Sequence, residues 1–224
     1  MYPMKTLLLA ILLAATAITS PASFAESSGR TLVPGIDYTE IENGKPLDPA
    51  DGKVVVEEFF NYICPACDHF EPLFASWAAR LPPWVKVAHV PAAFSAGFHE
   101  YAKAYYAADA LGLVDKTHEA VYNAIHNTHK LPGEGQKVDD KAIAAFYANY
   151  GVSADKFLST MNSFSVDSQV RRATDHLKAC KVMSTPSLVI DGRYLVKGRN
   201  YNDMLWIARA LIEKEHQRMT SATH

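Results

Sequence analysis

The sequence predicts an α/β protein in which a central mixed sheet is flanked by helices and interrupted by an inserted all-α block. Residues 53–61 are β-branched, aromatic and apolar almost throughout, which is typical of a strand covered on both faces. Residues 101–150 are rich in alanine and carry apolar residues at helical spacing. Strand-like runs return at 187–196 on either side of Asp191-Gly192, a strong hairpin signal.

In chain order, the sequence predicts two strands, a helix, a third strand, five further helices, a hairpin and a terminal helix. The first three strands are predicted at 36–41, 53–61 and 85–90, with a helix from Cys64 to about Arg80 between the last two. The helices of the block are predicted at 101–113, 116–128, 139–150, 153–161 and 165–180. The hairpin strands are predicted at 187–190 and 193–196, and the terminal helix at 202–218.

Local signals support these bounds. The run 36–41 alternates, which favours an edge strand. Pro82 and Pro83 end the first helix, and Pro91 ends the third strand. Gly151 follows a helical run and is typical of a helix C-cap.

The first 25 residues have the features of a secretory signal peptide. Lys5 is their only charge, an apolar run covers 7–17, and Ser23-Phe24-Ala25 fits a cleavage site. The apolar run is short for a membrane span, although an uncleaved anchor remains the alternative. We therefore expect export and cleavage after Ala25.

Composition and cysteine usage narrow the function classes. The chain has 22 Lys and Arg against 24 Asp and Glu, so no basic stripe supports binding to nucleic acid. Three cysteines are too few for the disulfide framework of a small exported domain. Two of them belong to one CxxC motif, which indicates reactive rather than structural thiols.

The tetrad Cys64-Pro65-Ala66-Cys67 stands at the junction of a strand and a helix. There the free N–H groups of the helix and its dipole favour a thiolate, which is the reactive form. Cys67 lies one turn later, within reach of a disulfide with Cys64. The alternatives are a structural disulfide or half of a zinc site, but zinc needs two more ligands and no second CxxC is present. Asp68 also breaks the haem-attachment pattern.

The run from Glu58 to Cys67, the helical block and Ser184-Thr185-Pro186-Ser187 before the hairpin together resemble the DsbA family. These are periplasmic thiol:disulfide oxidoreductases with a thioredoxin fold, and the resemblance covers nearly the whole mature chain. It implies a thioredoxin-like domain built from 26–95 and 183–224, with a helical domain inserted at 96–182.

The resemblance also implies roles for individual residues. Cys64 corresponds to the exposed attacking thiol and Cys67 to its buried partner. Pro186 corresponds to a cis-proline beside the disulfide, and the backbone of Thr185 to a strand that pairs with extended substrate. The alternative for Pro186 is the start of an ordinary edge strand.

Glu58 corresponds to a buried carboxylate under the disulfide, which tunes the thiols and assists proton transfer from Cys67. Burial should raise its pKa. Its neighbour Glu57 should point to the other face, where a solvated edge group is an equal alternative. His89 aligns near the Lys with which the family often pairs this acid, or else is a satisfied core histidine.

Two residues depart from the family pattern. Ala66 stands where many members carry a histidine that favours the thiolate, so we expect a weaker oxidant in which Pro65 and Ala66 set the redox tuning. Thr185 stands where valine is common in DsbA, and threonine is more usual in related reductases and isomerases. Those activities therefore remain alternatives.

The other candidate residues are expected to be structural. Cys180 is expected to be a buried free cysteine that packs as a small apolar residue, with a regulatory thiol as the alternative. His118, His126 and His129 are expected to be solvated surface histidines rather than metal ligands, because they lie in a polar helix-to-loop stretch without a cysteine. We expect neither a metal nor a cofactor.

The sequence thus predicts an exported, monomeric thiol:disulfide oxidoreductase that introduces disulfide bonds into reduced, unfolded client proteins. A DsbB-like membrane oxidase would reoxidise the Cys64–Cys67 pair. The rival hypotheses are a reductase or isomerase that uses the same site, and a metal-binding or client-binding module that uses the CxxC as a ligand.

Overall fold

The computed structural model describes residues 30–221, and the predicted signal peptide lies outside this range. Five strands form one mixed sheet in the order β1-β5-β4-β2-β3. Their bounds are β1 Tyr38–Glu40, β2 Val54–Phe60, β3 Val85–Pro91, β4 Ser187–Ile190 and β5 Tyr194–Val196. The predicted mixed sheet is confirmed, with the first strand at one edge.

Seven α-helices surround the sheet in the described residues. They are α1 Pro65–Ala78, α2 Ala96–Ala110, α3 Val114–Tyr122, α4 Asp140–Tyr147, α5 Ala154–Met161, α6 Phe164–Ala179 and α7 Tyr201–Ser221. A π-helical turn at Asn123–Asn127 extends α3, and a 3₁₀ turn at Ala148–Tyr150 extends α4. Within residues 30–221, no helix combines the length and the apolar character that a membrane crossing requires.

β2 is an interior strand of the sheet and lies between β3 and β4. All of its residues are buried, and it pairs in parallel with β3 and antiparallel with β4. Both faces are covered, as its apolar composition predicts. Since neighbouring side chains of a strand point to opposite faces, Glu57 and Glu58 lie on opposite sides of the sheet.

Two hydrophobic clusters pack against the sheet. One joins the start of β2 and the strands β4 and β5 to α1 and α7. The other joins the end of β2 to the helices α2 to α6. The end of β2 therefore lies where the sheet meets the helical block, and the CxxC motif follows it directly.

The hairpin turn has the geometry that its sequence predicts. Asp191 and Gly192 have φ values of 51° and 66°, and the N–H of Arg193 donates to the carbonyl of Ile190 at 2.9 Å. Two consecutive residues with positive φ define a type I′ turn, which matches the twist of the flanking strands. This turn sets the register of β4, the strand that directly follows Pro186.

Candidate active site

Cys64 is the N-cap residue of α1, and Pro65 occupies the first turn of the helix. Proline suits this position because its fixed φ is helical and its missing N–H has no partner in the helix anyway. The carbonyl of Cys64 accepts the N–H groups of Cys67 and Asp68 at 3.1 and 3.2 Å. The first turn is thus closed, and the sulfur of Cys64 lies at the positive end of the helix.

The two active-site thiols differ in access. Cys64 keeps 7% of its surface exposed, whereas Cys67 has none. Both thiols are free in this structure. Cys64 is less open than the sequence predicts, but it is the member of the pair that another molecule can reach.

Hydrogen bonds favour the thiolate of Cys64. The Cys67 thiol, the Thr185 side chain and the backbone N–H groups of Cys67 and Ala66 lower the pKa of Cys64 from 9.0 to about 6, although burial opposes the shift. Burial raises the pKa of Cys67 far above its usual value, and its hydrogen bond to Cys64 adds to this effect. At neutral pH the pair therefore holds one nucleophilic thiolate and one thiol that donates to it.

The loop before β4 reaches the same sulfur. The Cys64 Sγ lies 3.5 Å from the carbonyl oxygen of Thr185, and the bond between Thr185 and Pro186 is cis, as the sequence predicts. Thr185 and Pro186 are both half-buried. The backbone of Thr185 thus borders the one accessible thiol of the pair. The tetrad also contacts α7, because Tyr201 Oη donates a hydrogen bond to the carbonyl of Ala66 at 3.0 Å.

Glu58 and His89 lie side by side on paired strands. They are opposite each other in the β2–β3 register, and Glu58 Oε2 is 3.4 Å from His89 Nε2. Burial raises the pKa of Glu58 well above 4.5, and Glu71 and Cys64 add to this rise. Burial and His118 lower the pKa of His89 to about 4. Burial therefore favours the neutral form of both groups.

Replacing Glu58 with methionine is expected to stabilise the fold. The side chain is fully buried, and neither carboxyl oxygen has a hydrogen-bond partner among the described residues. A buried polar group without a partner costs stability, so Glu58→Met should raise the free energy of unfolding by about 1–3 kcal/mol. Urea denaturation of the reduced protein measures this change.

The matched control for that measurement is Glu119→Met. Glu119 is an exposed glutamate of α3, and its replacement should change the free energy of unfolding by less than about 0.5 kcal/mol. If Glu58→Met lowered the free energy of unfolding while Glu119→Met did not, the Glu58 side chain would stabilise the fold, and the prediction would be wrong.

Comparison of the sequence with models of protein families identifies the family of this chain. The model of the DSBA-like thioredoxin domain matches residues 55–206, more than half of the chain. This chain belongs to the DsbA family. The matched segment includes the CxxC motif, the helical block, the cis-proline, the closing hairpin and the start of α7.

Individual DsbA proteins match over nearly their full length. The thiol:disulfide interchange protein DsbA of Bordetella parapertussis is 36% identical over 210 residues, which cover 92% of this chain and 94% of the relative. The DsbA of Pseudomonas aeruginosa is 31% identical over 215 residues, which cover 95% and 97%. The crystal structure of the oxidoreductase DsbA from Xylella fastidiosa superposes with a TM-score of 0.80 at 38% identity, over 83% of this chain and 98% of that one.

Next to the Glu58–His89 pair, this DsbA-family chain has a polar and aromatic cluster that the sequence did not reveal. His118 Nε2 lies 3.4 Å from Glu71 Oε2, and its Nδ1 lies 2.9 Å from the Tyr62 hydroxyl. The His118 ring also packs 4.7 Å from the His89 ring. Although burial opposes it, His118 holds the pKa of Glu71 below 4.5. Only the four-residue spacing from Cys67 to Glu71, which puts both on one helix face, could have pointed to this cluster.

The prediction that the three histidines are solvated is wrong for two of them. The His118 side chain is only 12% exposed, because α3 packs against α1 and the end of β2. His126 is half-buried, and its Nε2 lies 2.7 Å from the carbonyl oxygen of Tyr62. His129 is exposed, as predicted.

Glu57 is not a solvated edge group, which the sequence leaves open as an alternative. Its side chain is fully buried, and Oε1 accepts the N–H of Leu47 at 2.7 Å and lies 2.9 Å from His176 Nε2. The helical block covers this face of the sheet, so a polar side chain here requires buried partners. Cys180 is a buried free cysteine, as predicted, and burial and Glu57 raise its pKa to about 12.

Two groups of side chains in residues 30–221 have the spacing of metal ligands. They are Glu71, His89 and His118 beside the redox pair, and Glu57, His176 and Cys180 on the opposite face of β2. Neither group includes Cys64 or Cys67. The tetrad holds one thiol with a lowered pKa, Cys64, and one fully buried thiol, Cys67.

Proposed function

We propose that this protein is a thiol:disulfide oxidoreductase that introduces disulfide bonds into client proteins through Cys64 and Cys67. The observation that carries this conclusion is the asymmetry of the pair. Cys64 is the accessible thiol with a pKa of about 6, and Cys67 is a fully buried thiol whose pKa is raised. An oxidant needs a stable thiolate at the attacked position, because a low pKa makes that sulfur a good leaving group.

The reaction starts from the oxidised protein. A client thiolate attacks Cys64 Sγ, the Cys64–Cys67 bond breaks, and Cys67 leaves with the electron pair and takes up a proton. A second client thiolate then attacks the client sulfur of the mixed disulfide, and Cys64 leaves as a thiolate. The client loses two electrons and gains a disulfide, and the protein gains the two electrons as a dithiol.

Each neighbour of the pair has a proposed role. Pro65 fixes the first turn of α1, and Ala66 contributes an N–H that lowers the pKa of Cys64 without adding a charge. Thr185 and Pro186 offer a half-buried backbone segment beside Cys64, where an extended client segment could pair as an added strand. Glu58 and His89 lie behind the pair, where Glu58 would assist proton transfer from Cys67.

The proposed cellular setting follows the family resemblance. The predicted signal peptide would be removed after Ala25, and the mature protein would act in the periplasm as a monomer. A DsbB-like membrane oxidase would restore the Cys64–Cys67 disulfide after each cycle. We propose that residues 96–182 form a helical domain that borders the client site.

A glutathione redox titration combined with two activity assays tests this function. We expect rapid oxidation of a reduced two-cysteine peptide, slow reduction of insulin, and a potential between those of thioredoxin, about −270 mV, and DsbA, about −120 mV. A potential at or below that of thioredoxin, together with fast insulin reduction, would instead assign the reductase activity. Loss of both activities in Cys64→Ser, but not in Cys180→Ser, ties the result to the tetrad.

Replacing Ala66 with histidine is expected to make the protein a stronger oxidant. A histidine in the first turn of α1 can donate to the Cys64 thiolate or carry a positive charge toward it, which Ala66 cannot. The potential should rise by about 30 mV for each unit by which the pKa of Cys64 falls. Ala75→His, on the exposed face of the same helix, is the control. An unchanged potential in Ala66→His would refute this role for position 66.

A further inference from the structure

A second cysteine site lies on the other face of β2. Cys180 caps the C-terminus of α6, His176 lies one turn earlier on that helix, and Glu57 projects from β2. One ligand atom of each residue lies within 4.8 Å of the others. The His176 side chain is 10% exposed, Cys180 is 1% exposed, and Glu57 is fully buried.

The contacts of this group do not have the pattern of a nucleophilic triad. In such a triad, the acid and the cysteine contact opposite nitrogens of the histidine ring. Here Glu57 Oε1 lies 2.9 Å from His176 Nε2, and Cys180 Sγ lies 3.5 Å from the same nitrogen and 3.9 Å from Nδ1. The carboxylate oxygen and the sulfur therefore converge on one ring nitrogen.

That convergence fits a tetrahedral metal ion. With the usual zinc bond lengths, the nitrogen and the sulfur should be about 3.6 Å apart, and the nitrogen and an oxygen about 3.4 Å apart. The observed 3.5 and 2.9 Å require only a small rotation of the carboxylate. The N–H of Leu47 holds Glu57 Oε1, which is the kind of outer contact that orients a metal ligand.

A buried oxygen without a partner is the independent sign of a ligand. Glu57 Oε2 is fully enclosed and makes no hydrogen bond to any residue in 30–221. A bound cation would offset the charge of this buried carboxylate and bind the thiolate of Cys180. A thiolate, an imidazole and a carboxylate together form a donor set of the zinc type.

We propose that Glu57, His176 and Cys180 bind one Zn²⁺ ion or a similar divalent cation, with a water as fourth ligand. Binding would exchange the proton of the Cys180 thiol for the metal, with no change of oxidation state. The ion would link the end of α6 to β2.

Cobalt titration of the oxidised protein tests this site. In the oxidised protein, Cys64 and Cys67 are in a disulfide, so Cys180 is the only thiol that can bind Co²⁺. We expect one Co²⁺ per chain, intensified visible bands of tetrahedral cobalt, and a near-ultraviolet thiolate-to-cobalt band. Roughly one proton should be released per ion, from the thiol. Samples refolded in the presence of Co²⁺ ensure that slow entry does not hide binding.

Variants separate this site from the others. Cys180→Ser should remove the thiolate band, and both Cys180→Ser and His176→Ala should weaken binding at least about 100-fold. Glu57→Gln should weaken it at least about tenfold, whereas His129→Ala, at an exposed histidine, should leave it unchanged. Zn²⁺ should raise the melting temperature of the oxidised wild type but not that of oxidised Cys180→Ser.

Two results would overturn the proposal. One is an oxidised, natively folded protein that binds no Co²⁺ after refolding with the ion. The other is binding without a thiolate band, which would place the ion at the sulfur-free group of Glu71, His89 and His118. In either case, Glu57, His176 and Cys180 would be a hydrogen-bonded buried cluster only.

Discussion

Replacing Cys64 with serine is expected to reduce client oxidation at least about 10³-fold. Without the Cys64 sulfur, no disulfide can form with Cys67, and no sulfur remains that a client can reach, because Cys67 is fully buried. The rate at which a reduced two-cysteine peptide is oxidised measures the effect. Cys180→Ser is the matched control, since it removes a thiol from the opposite face of β2 and should retain the wild-type rate.

Cys67→Ser should fail in a different way. When the Cys64 thiolate attacks a client peptide whose single cysteine is joined to glutathione, glutathione leaves as a thiolate and a Cys64–client disulfide forms. Without Cys67, no internal thiol can attack that bond and release the peptide. A covalent complex with the client should therefore accumulate on a non-reducing gel. If Cys64→Ser trapped the complex and Cys67→Ser did not, the assigned roles of attacking and buried thiol would be reversed.

The second large effect is a pH dependence of the stability of the reduced protein. The pKa of Cys64 is lowered from 9.0 in the free thiol to about 6 in the fold. A lowered pKa stabilises the fold above the folded-state value, and this contribution is lost as the pH falls through about 6. At pH 7, the shift of the Cys64 pKa contributes about 1.4 kcal/mol to the free energy of unfolding. Solvent screening reduces this contribution to about 1 kcal/mol.

Urea denaturation of reduced wild type and reduced Cys64→Ser measures this contribution. The stability advantage of the wild type should shrink by about 1 kcal/mol between pH 7 and pH 5, because serine does not titrate. The same free energy favours the dithiol over the disulfide at pH 7, which is why it also makes the protein more oxidising. A difference that did not change with pH would mean that the fold does not stabilise the Cys64 thiolate.

Features that depend on neighbouring residues could be predicted from the sequence. The strand before Cys64, the helix after it and the turn at Asp191-Gly192 all follow from local composition, and the structure confirms them. The start of α2 was placed too late, at residue 101, although Ser95 is its N-cap and accepts the N–H of Phe98. A serine before a glycine-containing first turn is a weak local signal.

Features that depend on packing between distant segments could not be predicted. In the sequence, nothing near Glu57 indicates a buried partner for it. That partner, His176, lies on α6, 119 positions later in the chain. His118 is predicted at the surface, but α3 packs so that His118 contacts Tyr62 and Glu71. In both cases the buried partner of a polar residue was not visible in the sequence.

The sequence also did not indicate that polar groups cluster on both sides of β2. One side has Glu58, His89, His118 and Glu71, next to the redox pair, and the other has Glu57, His176 and Cys180. Buried polar groups cost stability unless they have partners, and the partners of these groups come from helices and strands distant in the sequence.

The ultraviolet absorbance of the Cys64 thiolate, followed against pH in the reduced protein, tests the central claim most directly. The account predicts a single transition with a pKa of about 6, absent from Cys64→Ser and unchanged in Cys180→Ser. A thiolate that forms only near the usual pKa of 9.0 would contradict the claim that this fold activates Cys64.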